Sequence, residues 1–365
     1  MNHPYKALPA KSFWKTAVAD RETGTITDLW VPKFDIGKES LIVTFGSCFA
    51  QHFSKALQAS GYNWLNSERP PPSFSEEDLK RFNYSVFSAR TGNIYTTSLL
   101  RQWLSWAAGD SLPPEETWTC GERFYDPFRP MIEPEGFESA EEMARVRQVT
   151  IGALQSSIAQ ADVFVFTLGL TESWFNGAPE TGYEYPLCPG TVRGDYAASK
   201  HRFVRQDYDF VKKNLIEAIE IMRGINPNIR VLLTVSPVPL AATNSGEHVL
   251  VATSASKAIL RAVAQAVCEA DEGVDYFPSY EIIANPVFKG AFFGEAMREV
   301  LPAGVDFVMK SFFEALEDGS ELEVKDAGTL VVEREAIAEA GPQPDDDVIC
   351  EEELLAAFAP LGDDS

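Results

Sequence analysis

Ser47 is the residue of this chain best placed to do chemistry. It follows Gly46 at the end of the apolar, β-branched run Leu41-Ile42-Val43-Thr44-Phe45, and a helix-compatible segment, Cys48-Phe49-Ala50-Gln51-His52, starts at once. Such a run reads as a buried strand of a parallel sheet. The small hydroxyl behind it then stands at the C-terminal sheet edge, where open α/β sheets gather their ligands. The helix N-terminus that follows adds N–H groups and positive dipole, which suit a developing oxyanion. The plainer alternative is an ordinary strand-to-helix turn with Ser47 as N-cap. Cys48 could do thiolate chemistry at the same helix start. The alternation that turns Ser47 outward turns Cys48 inward, however, so a buried structural cysteine is expected.

A serine nucleophile needs partners, and the elements that deliver them follow in series. Strand-like runs recur at Gly61–Leu65, Asp162–Thr167, Arg230–Val235 and Val274–Phe277. Helical patterns lie between and around them, at Phe49–Ala59, Tyr95–Ala108, Ser139–Ala161, Asp207–Ile225, Ser254–Ala270 and Gly304–Leu316. Ser139-Ala140-Glu141-Glu142 resembles a capping box, and Asn226-Pro227 stops a helix. Strands alternating with helices imply βαβ crossovers. The expected fold is a three-layer α/β/α domain on a mostly parallel five-stranded sheet. Pro-rich coil over Gly109–Phe137 and an irregular insert over Ser173–Val204 interrupt it. The expected organisation is an extension over residues 1–34, the domain over 35–316 and a tail over 317–365.

In a parallel sheet the C-terminal strand ends share one edge, so four loops should meet there. They carry Gly46-Ser47, then Gly92-Asn93-Ile94-Tyr95-Thr96, then Gly169-Leu170-Thr171-Glu172, then Ser236 to His248.

Composition narrows the functional class. The net charge is −23, and residues 314–365 hold 17 Asp and Glu against Lys325 and Arg334. An acidic appendage on a mildly acidic body repels phosphate backbones, so no nucleic-acid partner is expected. The tail reads as a solvated acidic stretch in which Val348–Phe358 could form a short helix with an apolar side. The five Cys are scattered, with no CxxC pair and no His cluster, so neither a disulfide scaffold nor a zinc site is expected. No glycine-rich phosphate loop is found, and no cofactor is expected. The first residues lack an apolar signal core and no run has the length of a membrane span, so a cytoplasmic protein is expected. Arg123, Asp126, Arg129 and Glu133 read as a structural ion network sooner than as a grip on an anionic substrate.

Gly46-Ser47-Cys48-Phe49-Ala50 matches the pentapeptide that names the GSCFA domain family. The chain resembles that family over about residues 35 to 315, through Gly92–Thr96, Thr167–Glu172 and Thr234-Val235-Ser236-Pro237-Val238-Pro239. The family is similar to the SGNH/GDSL hydrolases, which implies a flavodoxin-like sheet and a serine nucleophile after the first strand. By that resemblance Ser47 is the nucleophile and Gly92 the second-block glycine. Gly169-Leu170-Thr171-Glu172 stands where Gly-x-Asn-Asp belongs, with Thr171 for Asn and Glu172 for Asp. Thr171 could donate one hydrogen bond to an oxyanion, and Asn93 could supply the missing amide.

The chain departs from the superfamily in its base: it contains no Asp-x-x-His. The candidates are His248, beside Glu247 in the fourth loop; His201, in the insert; and the carboxylates Glu172 and Glu281, which would need burial to raise their pKa. His52 lies about 140° round its helix from Ser47, so a packed role is expected. The expected activity is that of a serine esterase or O-acyltransferase acting on a small-molecule or glycan acyl ester. The competing expectation is a glycan- or acyl-ligand-binding protein that has lost its base. A third is an interaction scaffold working through the acidic tail.

Overall fold

The computed structural model describes residues 3–317 and 350–359. Ile42–Gly46 forms β1 and Ala50–Ala59 α1, followed by α2 (Glu76–Arg81) and α3 (Thr97–Ala108). Next come β2 (Trp118–Cys120), β3 (Arg123–Tyr125), α4 (Ala140–Gln160), β4 (Val163–Leu168), β5 (Glu172–Asn176), β6 (Tyr183–Tyr185) and β7 (His201–Arg205). Helix α5 (Tyr208–Ile225), β8 (Arg230–Val235), α6 (Val249–Ala270), β9 (Val274–Tyr276), α7 (Ser279–Ala284) and α8 (Pro302–Glu317) complete the series.

The central sheet has four strands in the order β1-β4-β8-β9, all parallel. Every residue of β1 and of β4 is buried. Successive side chains of a strand point to opposite faces, so both faces are covered and the architecture has three layers. The fifth expected strand is reduced to one parallel bridge, Ile42 to Trp64. That run leaves the turn at Gly61, whose φ is 72°, and reaches coil again within a few residues, too few for a ladder. The Trp64 indole N–H anchors it by donating to Thr44 Oγ1 at 2.8 Å.

Two further differences bear on the site. The insert over 173–204 is ordered, as an antiparallel sheet in the order β6-β5-β7. Its prolines, Pro179, Pro186 and Pro189, fall in the connections and leave the ladders intact. Glu116 Oε2 accepts from the Tyr183 and Tyr185 hydroxyls at 2.5 and 2.6 Å, fastening β6. Helix α6 begins at Val249 instead of Ser254 because its first turn is exposed, Leu250 being 68% accessible. An apolar stripe cannot mark a turn that faces water. Helices α4 and α5 start on the residues the sequence suggests, with Ser139 accepting from Glu142 N–H and Asp207 from Phe210 N–H.

The described residues fall into two compact units. One holds Ile36–Tyr276, with all three sheets, together with residues 350–359. In the other, the described segment up to Asp35 packs with residues 277–317. There Trp30 stacks on Phe312 at 5.4 Å and meets Phe277 edge-on at 5.2 Å. Of the acidic tail, residues 318–349 and 360–365 lie outside the described residues. The expected short helix is a 3-10 helix over Glu351–Phe358, and Glu351 and Glu352 are buried in place of being solvated. Among the described residues no helix is long and apolar enough to cross a membrane.

Candidate functional site

The turn after β1 is set by a glycine. Gly46 has φ +136°, and a Cβ there would lie 2.5 Å from the Thr167 carbonyl oxygen, so only glycine fits. This close approach lets Ser47 N–H donate to the Thr167 carbonyl at 3.1 Å, one step beyond the strand ladder. The chain then tightens into α1, with Ala50 N–H bonded to the Ser47 carbonyl at 2.9 Å. Cys48 is buried, as the alternation requires. Ser47 is 2% exposed, and its hydroxyl has no hydrogen-bond partner among the described residues. An unpaired buried hydroxyl costs about 1–3 kcal/mol, so its retention asks for a functional explanation.

Two of the other three expected loops converge on this turn. Ile94 N–H donates to the Gly46 carbonyl at 2.8 Å, which draws Gly92 and Asn93 to the end of β1. The Tyr95 carbonyl accepts from the N–H groups of Gly169 and Leu170 at 3.0 and 3.1 Å, tying in the loop after β4. Gly169 is so close that a Cβ on it would stand 3.0 Å from Ser47 Cβ. The buried Lys257 of α6 donates to the Gly169 carbonyl at 2.6 Å. Its neighbour Ser256 accepts from Thr171 N–H at 3.0 Å, which holds Thr171 beside α6.

Electrostatically the site centres on Asn93. Its Oδ1 accepts from Gln51 Nε2 at 3.4 Å, which directs Nδ2 the other way. Nδ2 and the Asn93 backbone N–H both donate to the Glu351 carboxylate, Nδ2 at 3.3 Å. The N–H groups of Ser47 and Gly169 are committed to carbonyls, so the Asn93 pair are the donors that meet an acid oxygen. Desolvation raises the Glu351 pKa to about 7, against the Asn93 hydrogen bonds that lower it. Tyr95 is buried with an unpartnered hydroxyl, and desolvation drives its pKa well above the ordinary range.

Among the described residues no base is hydrogen-bonded to the Ser47 hydroxyl. His248 caps α6, exposed, its Nδ1 accepting from Leu250 N–H at 3.2 Å. His201 opens β7, buried against Tyr185 and Tyr196, its Nδ1 accepting from Ala197 N–H at 3.1 Å. Desolvation lowers the His201 pKa. A neutral imidazole that accepts at Nδ1 carries its proton on Nε2, so in this arrangement the His201 ring offers a donor there and not a lone pair. His52 is packed on α1 with its ring against Phe49. Glu172 begins β5 and accepts from Thr243 Oγ1 at 2.7 Å, in the loop leaving β8. Burial raises its pKa, opposed by the bonds from Thr243 and Asn244. The structure therefore joins Ser47, Gly92, Asn93 and Gly169, and leaves His248, His201 and Glu172 beyond hydrogen-bonding reach of the Ser47 hydroxyl.

Lys257, Tyr95 and Glu351 were not singled out as site residues from sequence. Lys257 had a signal, a charge three and seven residues before Leu260 and Ala264 on the same buried stripe. Glu351 had none, because a glutamate among acidic residues reads as solvated. The four residues expected to form one ion network divide: Glu133 pairs with Arg90, Arg123 donates to the Glu135 and Gly136 carbonyls, and Asp126 and Arg129 form a buried cluster with Arg147. Buried Asp126 accepts from Arg129 Nε at 2.8 Å and from Arg147 Nε at 3.1 Å. Arg129 then reaches the Arg90 carbonyl at 3.1 Å, pinning the loop that ends in Gly92. A surface cleft of about 560 Å³ between α3 and α5, lined by Arg101, Asp110 and Glu217 among others, shares no residue with the Ser47 turn.

A family model described as the GSCFA family matches residues 41–312. No curated protein and no solved structure matches the chain.

Proposed function

The chain belongs to the GSCFA family, and from that premise we propose that it is a serine esterase or O-acyltransferase acting through Ser47. The observation that carries this reading is the buried Ser47 hydroxyl, unpartnered among the described residues at the C-terminal edge of β1, where the Ile94 N–H bond to Gly46 brings in the loop that holds Asn93. Ser47 Oγ attacks an ester carbonyl, and Asn93 N–H and Nδ2 stabilise the oxyanion, with Gly92 giving the backbone its approach. Collapse expels the alcohol, which takes a proton, and leaves an acyl-serine that water or an acceptor hydroxyl resolves. O-acyl groups of carbohydrates or cell-envelope glycans are the substrate class that the family resemblance suggests.

The serine proton must pass to a base that comes to Ser47 during turnover. His248 and Glu172 flank the same edge loops, and His201 stands in the antiparallel sheet. Fluorophosphonate labelling with mass-spectrometric mapping tests the reading. The expected result is modification at Ser47, absent in Ser47→Ala, with His248→Ala, His201→Ala and Glu172→Gln identifying the base by the loss each causes. A folded protein that labels nowhere overturns it. The lack of a base bonded to Ser47 among the described residues favours a second reading, an acyl-ligand-binding protein without turnover, which predicts acyl-glycan binding and no labelling.

A further inference from the structure

We propose that the C-terminal segment Cys350–Phe358 is an intramolecular plug, which closes the acyl site by seating the Glu351 carboxyl on the Asn93 donors. This rests on the reading of Ser47 and Asn93 as an acyl-transfer site.

Four observations support it. Glu351 is 4% exposed, although it opens a short 3-10 helix in the most acidic part of the sequence. Its carboxylate takes both Asn93 donors, and Oε1 comes within 3.5 Å of where a Gly92 Cβ would stand. The next residue, Glu352, is also buried and its Oε1 accepts from Ala241 N–H at 2.8 Å, in the loop leaving β8. Two consecutive acids thus engage two separate loops of the sheet edge, which a surface tail brushing past would not do. Finally, Ser47 is 2% exposed in this arrangement, too enclosed to meet an ester from solvent.

The chemistry explains the choice of residue. A carboxyl group is what an ester becomes after hydrolysis, so Glu351 offers the site the group its own product would carry. Its oxygen stands where the substrate carbonyl oxygen would accept from Asn93. A general base would instead approach the serine hydroxyl, yet the Ser47 hydroxyl has no partner. Among the described residues no cation pairs with Glu351, which leaves the seating weak enough to reverse, since carboxylates prefer water to an apolar site.

The test uses the full chain in three forms: unaltered, Glu351→Ala, and Glu351→Ala with Glu352→Ala. Two readouts are taken, the rate of fluorophosphonate modification at Ser47 and amide hydrogen exchange over residues 90–96 and 350–358. The variants are expected to label at Ser47 at least about tenfold faster, with faster exchange in both segments. A synthetic peptide of residues 350–359 should slow both again. Unchanged exchange at 90–96 in the double variant overturns the plug, whatever Ser47 does. Loss of labelling in a folded Glu351→Ala chain also overturns it, because Glu351 would then act as the base. Faster, peptide-reversible exchange with no labelling of any chain supports the seating and sinks the serine reading instead.

Discussion

Ser47 is held at a thermodynamic disadvantage. Its hydroxyl is enclosed without a partner, so replacing it with a methyl group removes an unsatisfied dipole and little packing. Ser47→Ala is therefore expected to match the parent protein or exceed it by up to about 2 kcal/mol in urea unfolding, while losing all labelling. A loss of more than about 1 kcal/mol would mean that the hydroxyl is bonded after all. The histidines show the opposite economy. His248 and His201 each use Nδ1 to satisfy a backbone N–H, a role invisible in sequence, where an imidazole near a predicted sheet edge looks like a base. Asn93 is the reverse case: the amide that the sequence offers for the oxyanion becomes the donor centre once Gln51 fixes its orientation.

Among the elements, the C-terminal segment has a pH signature. The docked Glu351 keeps its proton to about pH 7, whereas an unperturbed carboxyl of pKa 4.5 releases it earlier. The docked state thus binds the extra proton between these values. Seating is tightest below about pH 4.5, weakens by up to about tenfold per pH unit as pH climbs to about 7, and is level above. The surrounding titratable groups are Tyr95, Cys48, Cys350 and Glu352, and the nearby Arg129 is committed to Asp126. Amide exchange over 350–358, corrected for intrinsic rates, should accelerate from pH 5 to pH 7. Glu351→Gln should flatten that dependence, and a parent profile already flat would refute it. The element boundaries follow the same physics. Buried strands β4 and β8 were legible from their apolar runs, while the exposed first turn of α6 and the tyrosine-fastened β6 were not.

At the scale of the whole molecule, the Asp126–Arg129–Arg147 cluster ties α4 to the loop that carries Gly92. Burial alone would raise the Asp126 pKa, but Arg147 and Arg129 outweigh it and hold the carboxyl below 3.8. Its contribution is present above that value and is lost as pH falls through the lowered pKa. Asp126→Asn leaves two buried guanidiniums short of their anion and should cost about 3–5 kcal/mol, read by denaturant unfolding near neutral pH. A cost below about 1 kcal/mol would show that the cluster is not closed to water. The sequence by itself determined the parallel α/β architecture, the Ser47 turn and the convergence of Gly92–Asn93 and Gly169 upon it. Those features rest on apolar periodicity, glycine geometry and strand order, which are local or nearly so. Only the tertiary structure decided that Glu351 belongs at the site, that the histidines stand apart from it, and that the insert is a sheet. Each of these depends on contacts between distant segments, such as Asn93 with Glu351, and no local pattern encodes which distant acid will be buried.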